Sequence, residues 1–489
     1  MKKTLLIIAS FCIIASMQNA FSQTRYLDEV FTDVDVASDI TYGVNVTVIT
    51  GAPTIDTLKM DVYQPNNDVV TDRPLIIYIH TGSFLPYPLN GSCTGTKTDS
   101  ATVAMCMSFA KRGYVAAAIT YRMGWNPLAA TQVERTSHLL NAAYRGIQDA
   151  RNSVRFFRDN VANGGNTYGI DDSKVVVVGQ GTGGYVSYGV AHLNKMSELQ
   201  LLKFLDTNGV SVIDTSLSGD WYGNGGVGLN MPNYQSQSSD ISMAINLGGA
   251  LGDSSWVDAG EVPTVGFHSV NDPFAPYDFG MVIVPTTGEN VVFVSGSKSA
   301  IRTNNRMGNN DSLMNRVWTD SYTPKADQDG SGIDNLYPIV RPSPESAPWE
   351  WWLSSCPNDS TSLLTNPTMS PAKGMAYVDT VQGYIAPRIA CVLNIAGGCP
   401  AMVNGVTEFS LDSDVKIFPN PSSANITIKT SRVEITGVEM YDVTGRLVFA
   451  DNSLSTKFYS LERGNLVNGL YFVKVKSEDA EMDMKILFQ

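Results

Sequence analysis

Residues Val175-Val176-Val177-Val178 form an unbroken β-branched run, followed at once by Gly179-Gln180-Gly181-Thr182-Gly183-Gly184 and a helical segment, Tyr185 to Lys195. This strand–turn–helix constrains the chain more than any other stretch, because it calls for a buried strand whose exit is a tight glycine turn. Further apolar runs at Leu75–His80, Tyr114–Tyr121, Ser242–Leu247, Thr264–His268 and Asn290–Ser295 alternate with helical segments. Fully apolar strands between helices predict an α/β fold, a mostly parallel sheet covered on both faces. One of the helices, Leu139–Val161, is amphipathic, with Val154 and Phe157 on one face and Arg151, Arg155 and Arg158 on another.

The chain of 489 residues has room for more than one domain. Residues 1–22 read as a signal peptide: Lys2 and Lys3, an apolar run from Leu5 to Ala15, and small residues at Ala20 and Ser22 before a cut at Gln23. That run is too short to span a bilayer, and no later stretch qualifies. The net charge of −13 opposes binding to phosphate backbones, so nucleic acid is not an expected partner. Removal of Cys12 with the leader leaves five cysteines, an odd number in an oxidising compartment. Proximity suggests the pairs Cys391–Cys399 and Cys93–Cys106.

The composition changes after Gly398. Asn425–Thr430, Val438–Tyr441, Leu447–Ala450 and Tyr471–Lys476 are short strands broken by Gly, Asn and Asp turns, the pattern of a small antiparallel sandwich. The expected organisation is a leader (1–22), an α/β domain (23–402), a linker (403–411) and a β-sandwich domain (412–489).

Several motifs of the main domain stand in the order of one family. Leu58–Pro65 leads to His80-Thr81-Gly82-Ser83-Phe84, then Lys111-Arg112-Gly113-Tyr114, Tyr121-Arg122, the Asp149–Arg155 helix, and the glycine turn. This resembles secreted α/β-hydrolases of the carboxylesterase and carbohydrate-esterase kind over roughly residues 45–390. The resemblance implies that 179–183 is the nucleophile elbow, G-x-S-x-G, with Gly181 where the attacking serine stands. Glycine accepts the strained backbone of that position without steric cost. It implies an oxyanion hole from the backbone N–H groups of Gly82, Ser83 and Thr182, and Asp272 as the catalytic acid. The base is expected after Asn290–Ser295, in the loop Gly296–Arg302. All four histidines (His80, His138, His192 and His268) precede Asp272, so nucleophile and base are both missing where the family carries them.

The expected function is therefore a secreted or surface protein of the esterase type that lacks Ser–His chemistry and binds a glycan or ester ligand. An alternative is an active ester hydrolase with a displaced set: Thr182, Ser187, Ser83 or Ser297 as nucleophile, His268 or Lys298 as base. Trp125, Trp349, Trp351 and Trp352 are candidates for stacking on sugars or for packing a helix. Gly179-x-Gly181-x-x-Gly184 with Glu198 downstream also matches a dinucleotide fingerprint, but one placed far from the start of its domain. Asp327, Asp329, Ser331 and Asp334 alternate along a glycine turn as calcium ligands do, without the glutamate of an EF-hand. No other cofactor is expected.

At the C-terminus, Ile417-Phe418-Pro419-Asn420-Pro421, Met440–Arg446 and Asn468–Val475 occur in sequence. They resemble the type A sorting domain of bacterial type IX secretion. The resemblance implies engagement of that machinery by residues 412–489, with the product released or held at the outer-membrane surface.

Overall fold

The computed structural model describes residues 23–49, 51–284, 288–329, 332–402, 415–430, 433–477 and 481–489. The expected leader, the linker and Ser331 lie outside these. The chain divides into two units, Met1–Met402 and Val403–Gln489.

The first unit contains strands β1 (Val34–Ile49), β2 (Ala52–Pro65), β3 (Arg73–Ile79), β4 (Val115–Ile119), β5 (Ile170–Gln180), β6 (Met243–Leu247), β7 (Ala250–Leu251), β8 (Thr264–Ser269), β9 (Phe279–Ile283), β10 (Asn290–Gly296) and β11 (Leu336–Ile339). Its helices are α1 (Ser100–Lys111), α2 (Gln132–Asn163), α3 (Thr182–His192), the one-turn α4 (Thr215–Ser218), α5 (Ser297–Arg306), α6 (Thr323–Gln328), the one-turn α7 (Asp359–Ser362) and α8 (Pro371–Val392). Eight strands form one sheet in the order β1-β2-β4-β3-β5-β6-β8-β11. The β1–β2 and β2–β4 pairs are antiparallel, and every pair from β4 to β11 is parallel.

Alternation along β3 explains the two helical layers. Leu75, Ile77 and Ile79 face a core with Ile147, Val154 and Phe157 of α2 and Val186 of α3. Ile76 and Tyr78 face the other core, with Met105 and Phe109 of α1 and Val381, Ile385 and Ile389 of α8. Helix α2 begins earlier than its apolar periodicity suggests, because Thr131 and Glu134 cap it reciprocally. Its polar face is buried too. Arg151 donates to the carbonyls of Trp221, Val190 and Leu193. Asp149 binds Arg122 through Nε at 2.8 Å and through its backbone N–H at 2.7 Å, with both side chains closed to solvent.

Two expectations change here. Asn290–Ser295 is a strand, but β10 pairs with β7 and β9 in a separate three-stranded sheet. The last strand of the main sheet is β11, parallel to β8 and at the edge. Cys93 bonds Cys356, whereas Cys106 is a free, buried thiol on α1 facing the α8 layer. The Cys93–Cys106 pairing is thereby overturned; Cys391–Cys399 is present.

In the second unit, β12 (Lys416–Phe418), β13 (Asn425–Lys429) and β16 (Phe458–Glu462) form one antiparallel sheet. β15 (Leu447–Asp451), β14 (Gly437–Asp442), β17 (Gly469–Lys476) and β18 (Glu481–Phe488) form another. Ile426, Ile428, Met440, Val473 and Val475 fill its core. No helix among the described residues is long and apolar enough to cross a membrane.

Candidate functional site

The central strand β5 ends at Gln180 and α3 starts at Thr182, which leaves Gly181 alone at the turn with φ 53° and ψ −119°. Such a backbone is a glycine position. The turn is tight because α3 lies almost on β3: a Cβ at Gly183 would stand 2.7 Å from the Ile79 carbonyl carbon. This is the geometry expected of an elbow. Gly181 and Thr81 both border a cavity, and Thr81 stands directly against the apex. A Cβ at Gly181 would lie 2.9 Å from the Thr81 Cβ and closer still to its Oγ1.

Beside the elbow runs the loop after β3. Gly82, Ser83 and Phe84 have φ of 137°, 54° and 53°. Two bonds hold this unusual path, from the Trp125 indole to the Ser83 carbonyl at 2.9 Å and from the Leu85 N–H to the Gly82 carbonyl at 3.0 Å. Among the described residues the backbone N–H groups of Gly82, Ser83 and Thr182 have no acceptor, and all three residues border one cavity of about 220 Å³. The Thr182 hydroxyl is 3.0 Å from the Tyr121 hydroxyl, which donates to the His80 carbonyl at 3.1 Å. Burial lowers the His80 imidazole to about 4, so this ring is neutral at physiological pH.

Asp272 follows β8 and borders the same cavity. Its Oδ1 accepts from the N–H groups of Phe274 and Ala275 at 2.8 and 2.9 Å. Its Oδ2, in a side chain with no exposed surface, has no hydrogen-bond partner. His268 Nε2 is 3.5 Å from that oxygen but points its bond at the Ala275 carbonyl, 3.0 Å away. The other ring nitrogen is 2.8 Å from Ser297 Oγ. Ser297 and His268 are thus hydrogen-bonded, but the second ring nitrogen is engaged by the Ala275 carbonyl rather than by Asp272. Ser297 and His268 are both fully buried, and neither borders the cavity. The Ser187 hydroxyl is buried and donates to backbone carbonyls. Lys298 sits by Asp278 and the Tyr277 ring.

The cavity is bordered by residues from the segment after β11 and by none of Gly296–Arg302. Ser346, Ala347, Trp349 and Glu350 border the cavity. No histidine lies in it. Glu350, which sequence reasoning passed over, is buried there. Its carboxyl accepts from Gln180 Nε2 at 3.1 Å and from Thr94 Oγ1 at 3.2 Å. Burial, reinforced by the nearby Asp99 charge, raises it to about 8. Asp99 itself is raised to about 6 by burial. No motif signals Glu350; only its enclosure does.

Trp125 and Trp349 are closed to solvent and form cavity wall, and Trp351 packs against Gly374 of α8. Glu198, the acidic residue of the dinucleotide pattern, accepts from the N–H groups of Asn194 and Lys195. Asp327 and Asp329 end α6, and Asp334 accepts from the Asn315 N–H. Among the described residues no three His, Cys, Asp or Glu side chains are grouped to hold a metal.

The sheet order and the match of residues 60–283 to a family model identify the first unit as an esterase-like α/β-hydrolase domain. Residues 60–283 match the BD-FAE family model, and residues 416–489 match the secretion system C-terminal sorting domain. The chain therefore carries a BD-FAE domain followed by a type IX sorting domain, and it is a secreted or cell-surface protein. No curated protein matches it. Solved structures similar to it include a thermophilic esterase from the planctomycete Thermogutta terrifontis. The native form is 15% identical with TM-score 0.36, over 68% of this chain and 95% of that one. The propionate-bound form is 14% identical with TM-score 0.34, over 67% and 90%. Esterase 2 of that organism phosphorylated by paraoxon is 18% identical with TM-score 0.29, over 50% and 73%.

Proposed function

We propose that this is a secreted ligand-binding protein built on an esterase domain, without ester hydrolysis. One observation carries the reading: Gly181 stands at the elbow apex and Thr81 fills the volume that a nucleophile's side chain would need. Nucleophilic catalysis needs a hydroxyl at the cleft and a base within hydrogen-bond reach. Several serines and threonines, Ser83 and Thr182 among them, border the cavity but no histidine does, and Ser297 and His268 are fully buried away from it. What persists is recognition equipment: free backbone donors, a buried acid and an enclosed apolar wall.

The test is hydrolysis of p-nitrophenyl acetate and of acetylated and feruloylated xylan by the full-length protein. No turnover above a heat-denatured control is expected, for the parent and for Gly181→Ser alike. Saturable turnover by the parent would refute the reading and assign the chemistry to another nucleophile.

A further inference from the structure

Two buried carboxyl groups hold down the loop that precedes α1. Glu350 accepts from Thr94 Oγ1 at 3.2 Å and from Gln180 Nε2 at 3.1 Å. Asp99 accepts from the N–H groups of Gly95 and Thr96 at 2.6 and 3.0 Å, and from Thr96 Oγ1 at 2.8 Å. The two carboxyls are therefore attached to consecutive residues, Thr94 and Gly95. Glu350 is 4% exposed and Asp99 9%. Among the described residues no cation pairs with either. Gly95 in turn packs on the loop after β3: a Cβ at Gly82 would stand 2.9 Å from the Gly95 Cα.

One of these carboxyls can carry a charge at modest cost, and Asp99 is the better placed. It has three donors and stands at the start of α1, where the helix favours an anion. Glu350 has only a hydroxyl and an amide. A second buried anion there calls for a cation or for water. The neighbouring groups supply no charge. Burial pushes Tyr78 of β3, Cys106 of α1 and Tyr121 up, and lowers His80 to about 4. All four therefore stay neutral between about pH 5 and 8. Lys97 is held by Asp61 at 2.6 Å and by Asp39 at 3.3 Å. Water remains, and it reaches Glu350 when Thr94 and Gly95 move away.

We infer that Glu350 and Asp99 form a proton-operated catch: with Glu350 protonated the loop 90–96 is held down on Gly82, and with both carboxyls ionised it lifts. Closed, the Glu350 carboxyl is raised to about 8; hydrated, it returns toward the roughly 4.3 of a free glutamate. Between those values the closed form holds more protons, so the catch is tight in acid and slackens as pH rises, with no further change above about 8. The Cys93–Cys356 bond persists throughout, so the loop stays tethered and the change reverses. The catch does not depend on whether the domain cleaves esters.

Hydrogen exchange of the full-length protein, read by mass spectrometry at pH 6 and pH 8 with labelling times scaled to the intrinsic exchange rates, tests this. Peptides spanning 82–98 are expected to lose protection by about 10-fold or more at pH 8, while peptides from β5 and β8 keep theirs. Glu350→Gln, which cannot ionise, is expected to retain the pH 6 protection at pH 8. Asp99→Asn removes the neighbouring anion and is expected to reduce the loss; it carries the test if Glu350→Gln does not fold. Equal protection of 82–98 at the two pH values, a loss shared by β5 and β8, or a loss undiminished in the folded variants overturns the inference. Ester turnover decides the non-catalytic reading separately, so the two fail independently.

Discussion

Thr81 and Gly181 are sterically exclusive partners: the space missing at one is filled by the other. Rotation of Thr81 about χ1 moves its hydroxyl but not its Cβ, which already lies 2.9 Å from where a Cβ at 181 would sit. The loop after β3 would have to shift as well, and that loop is pinned by Trp125 and by left-handed residues. Restoring a serine is therefore a two-residue problem before any base is considered.

Gly181→Ser is expected to destabilise the protein by about 1–3 kcal/mol from backbone strain alone, with steric overlap adding to it. Thr81→Gly in the same chain should recover the overlap part, a coupling of roughly 0.5–3 kcal/mol. Urea unfolding of the two single variants and the double variant measures this. Strict additivity would mean that Thr81 is not the obstacle.

The Arg122–Asp149 pair is closed to solvent and links the end of β4 to α2. Removing one partner strands the other charge, so Asp149→Ala is expected to cost about 3–5 kcal/mol. Replacing both residues by apolar ones of similar volume should cost clearly less. Equal losses for single and double replacement would show that packing, rather than the stranded charge, dominates.

Glu350 supplies a pH signature. Its folded-state carboxyl is raised to about 8, well above the roughly 4.3 of an unfolded glutamate. Between those values the folded state holds more protons, so stability falls as pH rises. The contribution is complete below pH about 4.3 and gone above about 8. Glu350→Gln should therefore flatten the decline in melting temperature between pH 5 and 8, and exceed the parent at pH 8. Parallel curves for parent and variant would place the titration elsewhere.

Local pattern carried much of this structure. The strand–turn–helix at Gly181 was legible because strand, glycine turn and helix are contiguous. Asp442–Arg446 was equally plain: Asp442 caps the turn by accepting from the Thr444 and Arg446 N–H groups, with Gly445 at φ 80°. Sheet membership was not local. Asn290–Ser295 looks like any core strand, and only pairing with β9 and β7 removes it from the main sheet. The true last strand, β11, has four residues and contains Pro338, which reads as a strand breaker and is tolerated because β11 is an edge. Cys93 and Cys356 are 263 residues apart, beyond any spacing rule. Thr81 beside Gly181 and Glu350 beneath Gln180 are likewise products of tertiary packing.

The Cys93–Cys356 bond joins two loops that both border the cavity, 92–94 and 346–365. Closing so long a loop stabilises a fold by about 2–5 kcal/mol. Cys93→Ala with Cys356→Ala is expected to lower the melting temperature and to weaken cavity ligands. Loss of Cys391–Cys399, which closes a span of only 8 residues, should matter less. Similar melting shifts for the two pairs would contradict this ordering.

Cys106, the thiol left without a partner, is enclosed between the sheet and α8, and burial pushes its pKa up. A thiol that is neither accessible nor ionised does not attack disulfides. Only a chain that has failed to fold exposes it. During export such a chain would become cross-linked to its neighbours while correctly folded molecules would not, so one hidden sulfur makes misfolding self-reporting as covalent multimers.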